Sequence, residues 1–266
     1  MRPHGVIGHL ARDVVAGQPP RIGGGPWHAG RALRALHQDA LVVAKCGEAE
    51  RDAFQRRFAT LGLPAAIVTG GETTAFSFFY DADGRRHMHV DAIGEPWREE
   101  DAAERALRRT AWVHVAPLLR GDIPASMLER LARGRRLLLD GQGLVRVRRI
   151  GPLELDGSID ADTLRNVAIL KLAAEEARAI VGGGELEELR SLRVPEIVVT
   201  FGLGGSLVLA RGGSERVRAR RVDVDPTGAG DAFSIAYLGA RAAGHAPVSA
   251  ARRATALVSS LLAAQR

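Results

Sequence analysis

One cysteine, Cys46, in 266 residues leaves no intrachain disulfide and no cysteine cluster for zinc or iron–sulfur, and it points to a reducing, cytoplasmic setting. Aromatic residues make up only 5% of the chain. They do not interleave with the arginine clusters at Arg135-Arg136, at Arg146, Arg148 and Arg149, and at Arg216, Arg218, Arg220 and Arg221, so the stacking platforms of a nucleic-acid surface are missing. No stretch approaches the ~20 apolar residues of a membrane span, and the opening MRPHGVIGHLARDVV has no apolar run long enough for a signal peptide. The expectation is a protein that engages neither nucleic acid nor membrane.

What remains is 46% hydrophobic and 26% charged residues with both signs spread along the chain, the composition of a soluble globular protein. The net charge of +6 comes from 37 Lys+Arg against 31 Asp+Glu, almost all of the basic residues being arginine, and favours anionic ligands. A chain of this length fits one large α/β domain, residues 1–266, with a small appendage.

Short apolar runs alternate with helical patterns: a strand around Val6–Gly8, a helix over residues 29–37, a strand at 41–44 and a helix over 50–61. This βαβ rhythm implies a parallel sheet covered by helices. It breaks at residues 73–90, TTAFSFFYDADGRRHMHV, where two β-like runs flank the turn signal Asp81-Ala82-Asp83-Gly84 and predict a hairpin. Beyond it come a helix over 99–109, strands at 112–115 and 137–140 around a helix over 125–133, and a strand at 167–170 before a helix over 173–180. A short helix at 185–190, a strand at 197–200, a strand pair at 206–210 and 216–221, and helices over 229–243 and 247–264 complete the chain. The fold class is α/β, a doubly wound and mostly parallel sheet of more than six strands.

The stretch VDVDPTGAGDAF sits where a loop leads into a helix. Its glycines let the backbone approach a ligand, and the amides of Gly228, Ala229 and Gly230 at a helix start form an anion hole favoured by the helix dipole. Asp231, one step inside that helix, is placed to take a proton from a hydroxyl beside a bound phosphate. Hole plus base describes phosphoryl transfer, which needs positioning, a magnesium ion and charge neutralisation. The competing reading is an ordinary glycine turn with Asp225 or Asp231 as a helix cap.

The run DPTGAGDAF resembles the signature of the ribokinase-like (PfkB) family of sugar and nucleoside kinases. Val199–Gly205, VTFGLGG, is similar to the family's nucleotide loop, and the resemblance assigns Thr200, Gly202 and Gly205 to ATP. Gly24 and Gly25 match its di-glycine and Asp13 its substrate-holding aspartate, while segments around 12–22 and 73–91 correspond to a β-lid that closes over substrate and allows a homodimer. Lys171 and Glu176 match a lysine and a glutamate on the donor side, the latter reaching Mg²⁺ through water; a monovalent cation is also compatible with the family. Two positions depart: Ala173 replaces an asparagine three residues before Glu176, and Ala29 stands where ribokinases carry a sugar-contacting asparagine. GHLARDVV, KLAAEEA and LLLDGQGLVR point to the branch containing myo-inositol kinases.

The resemblance therefore implies an ATP- and Mg²⁺-dependent kinase for a sugar or polyol, a cyclitol such as myo-inositol among them, with Asp13, Gly24, Gly25, His28 and Asp140 around the acceptor. A nucleoside kinase, disfavoured by the scarcity of aromatics, and a ligand sensor without turnover are the alternatives. Asp140, at a strand's end, reads equally as a ligand contact or a turn cap. Arg120 and Arg146 are candidate anion contacts, His114 reads as a hydrogen-bonded core histidine, and His87 with His89 supplies too few ligands for a metal.

Overall fold

The structure, a computed structural model, describes residues 3–16, 18–80, 86–219 and 228–263. The expected turn at Asp81–Gly84, Arg220, Arg221 and the motif's first half, Val222 through Thr227 with Asp225, lie outside the described residues.

Strands are β1 (His4–His9), β2 (Ala11–Val15), β3 (Arg21–Gly23), β4 (Ala40–Cys46), β5 (Ala65–Thr69), β6 (Thr74–Tyr80), β7 (Arg86–Ala92), β8 (Trp112–Ala116), β9 (Arg136–Asp140), β10 (Gly151–Pro152), β11 (Ile169–Ala173), β12 (Glu196–Thr200), β13 (Ser206–Ala210) and β14 (Gly213–Val217). The helices are α1 (Gly25–Ala35), α2 (Arg51–Leu61), α3 (Ala103–Ala106), α4 (Ala125–Ala132), α5 (Gln142–Val145), α6 (Ala161–Leu164), α7 (Ala174–Val181), α8 (Ala229–Ala242) and α9 (Pro247–Ala263). Nine strands form the main sheet in the order β14-β13-β12-β11-β9-β8-β1-β4-β5, all running the same way except β13, which is antiparallel to both of its neighbours. Five strands, β10-β7-β6-β2-β3, form a smaller sheet.

Alternation along buried strands shows why helices cover both faces. In β9, Leu137 and Leu139 join one apolar cluster with Met127, Leu128 and Leu131 of α4, while Leu138 points the other way into a cluster with Phe233, Tyr237 and Ala254 of α8 and α9. Beside that second cluster, Val42 and Ala44 of β4 pack on Leu33 of α1 and on Phe54 and Phe58, one turn apart on α2. Each fully buried Val, Leu, Met or Phe among these contributes about 1.5–3 kcal/mol. The smaller sheet rests on the body through Ala11, Phe76, Phe78 and Val90 against Leu118 and Leu119. The joint is pinned by the buried Asp122, which accepts the Leu118 and Leu119 amides at 2.8 and 2.9 Å and pairs with Arg148, itself bonded to the Gly94 carbonyl.

The helix expected over 99–109 is instead a single tight turn at Glu99–Asp101 followed by the short α3. Ala102 adopts φ 49°, outside the right-handed helical region, and so separates the turn from α3, while the Asp101 carboxylate accepts the Arg98 amide at 2.8 Å and pairs with the buried Lys45 ammonium at 2.7 Å. The strand expected at 167–170 lies two residues later, as β11, and the last edge strand three residues earlier, as β14, because Ala210 and Gly213 already pair across a tight turn. Residues 65–69, not read as a strand, form the edge strand β5 beside β4.

Candidate active site

In the main sheet β1 is flanked by β4 and β8, so the chain runs out to one edge through β4 and β5 and to the other through β8, β9, β11 and β12. Ligands bind at such a reversal, beyond the carboxyl ends of the strands. A cavity of about 210 Å³ lies there, smaller than the ~300–1,000 Å³ typical of drug-sized ligands and suited to one small ring.

Three helix N-termini face this cavity: Gly24 and Gly25 open α1, Ala173 opens α7, and Gly228 opens α8, and residues from all three line it. The positive ends of their dipoles favour a negative group. Gly228 has φ 82°, and a Cβ there would stand 2.6 Å from Nδ1 of His28, so a side chain would both strain the turn and push His28 out of the lining. Gly25 lets α1 begin against the body: a Cβ there would be 2.2 Å from the Ala116 Cβ and 3.1 Å from Oδ1 of Asp231.

Asp231 belongs to a cluster at the cavity floor. Ligand atoms of His114, Asp140 and Asp231 all lie within 4.8 Å of one another. His114 donates from Nε2 to Asp140 Oδ2 at 2.5 Å, Ser234 Oγ donates to Asp140 Oδ1 at 3.1 Å, and the Lys171 ammonium stands 3.5 Å from the same oxygen. The lysine already supplies the positive charge that a metal would bring to these carboxylates. Burial works against ionising Asp140, but Lys171 and His114 outweigh it and hold that carboxyl well below the ordinary range. Burial also raises Asp231, and the neighbouring Asp140 charge adds to it, pushing Asp231 up to about 7 despite His114, Lys171 and Arg146. Burial opposes the charge on Lys171, yet Asp140, Glu176 and Asp231 keep its pKa above the usual lysine value. Two neighbouring carboxyls driven apart in this way are the pattern of a site with a divided acid–base task.

Of the residues singled out in the sequence, the cavity gathers Asp13, Gly24, Gly25, His28, Asp140, Lys171, Glu176, Gly228, Gly230 and Asp231. Ala229 is the first residue of α8 between the two glycines. Thr200, Gly202 and Gly205 do not line it. They stand at the carboxyl end of β12, where Thr200 is paired in register with Ala173, and Thr200 Oγ1 donates to the Leu172 carbonyl at 3.2 Å. Glu176 caps its own helix, accepting the Ala173 amide at 2.8 Å, with Arg146 3.9 Å away. Arg146 lines the cavity, whereas Arg120 is tied to Asp156 and the Leu144 carbonyl and does not. Asp140 is also more than a turn cap: no α-helical turn depends on its carboxylate, whose partners are His114, Ser234 and Lys171.

Sequence reasoning left out Gln142 and the apolar roof of Phe76, Phe78 and Met88 from the smaller sheet. The roof was legible only as alternation on the hairpin strands. The link from His114 to Asp140 needed the register of β8 beside β9. His87 stacks on Phe79 and His89 bonds Asp91 at 2.9 Å, away from a metal cluster. Cys46 is buried, with its thiol pushed up to about 12 by burial and the nearby Glu50 and Glu48, which makes it inert.

A family model described as pfkB family carbohydrate kinase matches residues 23–264. The chain belongs to that family. The rice (Oryza sativa subsp. japonica) inositol 3-kinase is 29% identical over 258 residues; the match takes in 87% of this pfkB chain and 61% of the relative's length. A pyrophosphate-dependent kinase of the ribokinase family, solved with a pyrophosphate analogue and myo-inositol, superposes with a TM-score of 0.81 at 24% identity over 97% of this chain and 94% of that one. A sulfate complex of a pyrophosphate-dependent kinase of the same family gives 0.81 at 25%, covering 98% and 95%. The ribokinase-like fold of this pfkB family member is thereby shown. No helix among its described residues is long and apolar enough to cross a membrane.

Proposed function

We propose that this chain is a kinase that moves the terminal phosphoryl group of ATP to a hydroxyl of a sugar or polyol, with a cyclitol such as myo-inositol the favoured acceptor. The observation that carries the reading is Asp231: a carboxyl raised to about 7, beside Lys171 and at the start of α8, in a cavity ringed by helix N-termini. A base with a pKa near the working pH combines a useful ionised fraction with real proton affinity.

Asp231 takes the acceptor's proton as its oxygen bonds to the γ-phosphorus and the bond to ADP breaks. The amides of Gly228, Ala229 and Gly230 receive the charge of the transferring group, helped by Lys171 and Arg146. Asp13, His28 and the backbone at Gly24 and Gly25 hold the acceptor's other hydroxyls, and Asp140 acts from behind. The Phe76, Phe78 and Met88 roof covers the carbon-bound hydrogens of a ring and closes as a lid. Thr200, Gly202 and Gly205 serve the nucleotide. Glu176 suits magnesium held through water, since its carboxylate lines the cavity and oxygen donors match that ion. Bound magnesium supplies neutralisation of the phosphate charge.

A second reading, inorganic pyrophosphate as donor, is favoured by two observations: Arg146 and Lys171 lie within the cavity while the nucleotide-loop residues stand outside it, and the two solved relatives are pyrophosphate-dependent. The test is a panel of cyclitols, pentoses, hexoses and nucleosides with ATP or pyrophosphate, following acceptor phosphorylation together with ADP or phosphate release. ADP release matched by a phosphorylated polyol supports the proposal; transfer only from pyrophosphate selects the second reading; donor binding with no transfer to any acceptor refutes both and favours a sensor.

A further inference from the structure

Beside the catalytic cavity runs a second, larger hollow of about 680 Å³ between β3, α1 and α2, and the two share Asp13 and His28 in their linings. Its character differs from that of the cavity. Arg21 comes from β3, Arg31 from α1 and Arg57 from α2, so three separate elements each bring an exposed arginine to the lining of one groove, beside Arg12. Trp27 and Arg31 are one turn apart on α1, and Phe54 and Arg57 share a face of α2, which is why both helices present an apolar foot and a cationic head to the groove. Trp27 is fixed edge-on against Phe58 at 5.7 Å, a rigid wall.

The acidic residues do not neutralise this set. Glu50 is occupied, bonded to Arg12 at 3.0 Å and to the Thr73 hydroxyl at 2.8 Å. Arg21, Arg31 and Arg57 make no ion pair or side-chain hydrogen bond among the described residues. Asp13, the other acidic residue of the lining, stands at the boundary with the catalytic cavity. The 210 Å³ cavity and the groove meet at Asp13 and His28, and guanidinium groups bind phosphate with charge-assisted, often paired hydrogen bonds.

We propose that the groove is the second half of the acceptor site and that the acceptor is itself a phosphate monoester: a sugar or polyol monophosphate whose ring sits in the catalytic cavity and whose phosphate is held by Arg21, Arg31 and Arg57. This rests on the kinase reading above and narrows its substrate class.

The test compares myo-inositol with its monophosphates, and hexoses with their 6-phosphates, as acceptors for the wild type, for Arg31→Gln/Arg57→Gln and for Arg34→Gln, an exposed control on α1 outside the groove lining. Expected is a kcat/KM for a monophosphate at least about tenfold above that for its parent, lost in the double variant through KM rather than kcat and kept in the control. Preference for the parent polyol, or a preference that survives the double variant, overturns the inference while leaving the kinase reading intact. Binding is read separately by titrating the same monophosphates against Trp27 fluorescence, with Trp27→Phe as the blank. Arginine-dependent binding without turnover sustains the groove and counts against the kinase; no binding of any monophosphate removes the groove.

Discussion

Replacing Asp140 by asparagine tests whether this buried carboxylate sets the proton affinity of Asp231. The variant keeps the shape and the hydrogen-bonding oxygen but removes a negative charge within 4.8 Å of the Asp231 carboxylate. At that separation and an effective dielectric of about 20, two unit charges interact by about 3 kcal/mol, or roughly 2.5 pK units. Lys171 and His114 already offset part of that field, so the expected drop is about one to two units. Burial, the larger cause of the raised value, is untouched, and Asp231 stays above an ordinary aspartate. The assay is kcat/KM from pH 5 to 9. With Asp231 up to about 7 as the base, the expected wild-type activity rises with pH and at pH 6 stands at only about a tenth of its plateau. Asp140→Asn retains about half or more at pH 6, on a lower plateau because its base is weaker. An acid limb that does not move would refute the idea that the Asp140 charge acts on Asp231.

Four further outcomes follow from the same geometry. Asp231→Asn raises stability at pH 8: the folded pKa lies above the unfolded one, so the wild type loses stability as pH climbs from about 4 through 7. Denaturant melts at pH 4 and pH 8 should show a gap of up to about 4 kcal/mol that closes at the acid end. Ala173→Asn gives α7 the side-chain cap that it lacks, which adds about 1 kcal/mol and about 2–4 °C in a thermal melt. Tyr237→Phe removes the hydroxyl bonded to the buried Glu196, leaving Arg241 as that carboxylate's partner at 3.0 Å, and costs about 1–2 kcal/mol in urea unfolding. Gly228→Ala strains a positive φ and displaces His28, so kcat/KM falls at least about tenfold in steady-state assays while the melt moves by less than about 2 kcal/mol.

The parallel sheet was legible because its strands are short apolar runs of uniform character, Val113–Val115 and Leu137–Leu139 among them, separated by helical stretches. Elements ruled by a single long-range contact were not. The turn at Glu99–Asp101 stops at Ala102, φ 49°, next to an Asp101 carboxylate held by Lys45, a partner 56 residues away, and no local pattern encodes that contact. Of the candidate site, the residues read from glycine-rich runs and from the resemblance, Gly24, Gly25, Lys171, Glu176, Gly228 and Asp231, fall around one cavity. The residues that tune and shape it were hidden for a physical reason. His114 is an apolar-strand histidine until β8 and β9 align it with Asp140, and Phe76, Phe78 and Met88 read as hairpin packing until the smaller sheet covers the cavity. The arginines of the groove are scattered over Arg21 to Arg57 and become one feature only after three elements fold together.

The central claim, that Asp231 is the base of a phosphoryl transfer in this cavity, is tested most directly by single-turnover transfer to the best acceptor with wild type and Asp231→Asn at pH 8, alongside acceptor affinity measured by calorimetry. The account predicts a transfer rate reduced about 10²–10⁴-fold with acceptor affinity held within a few fold. A variant that transfers within about tenfold of the wild type would contradict it.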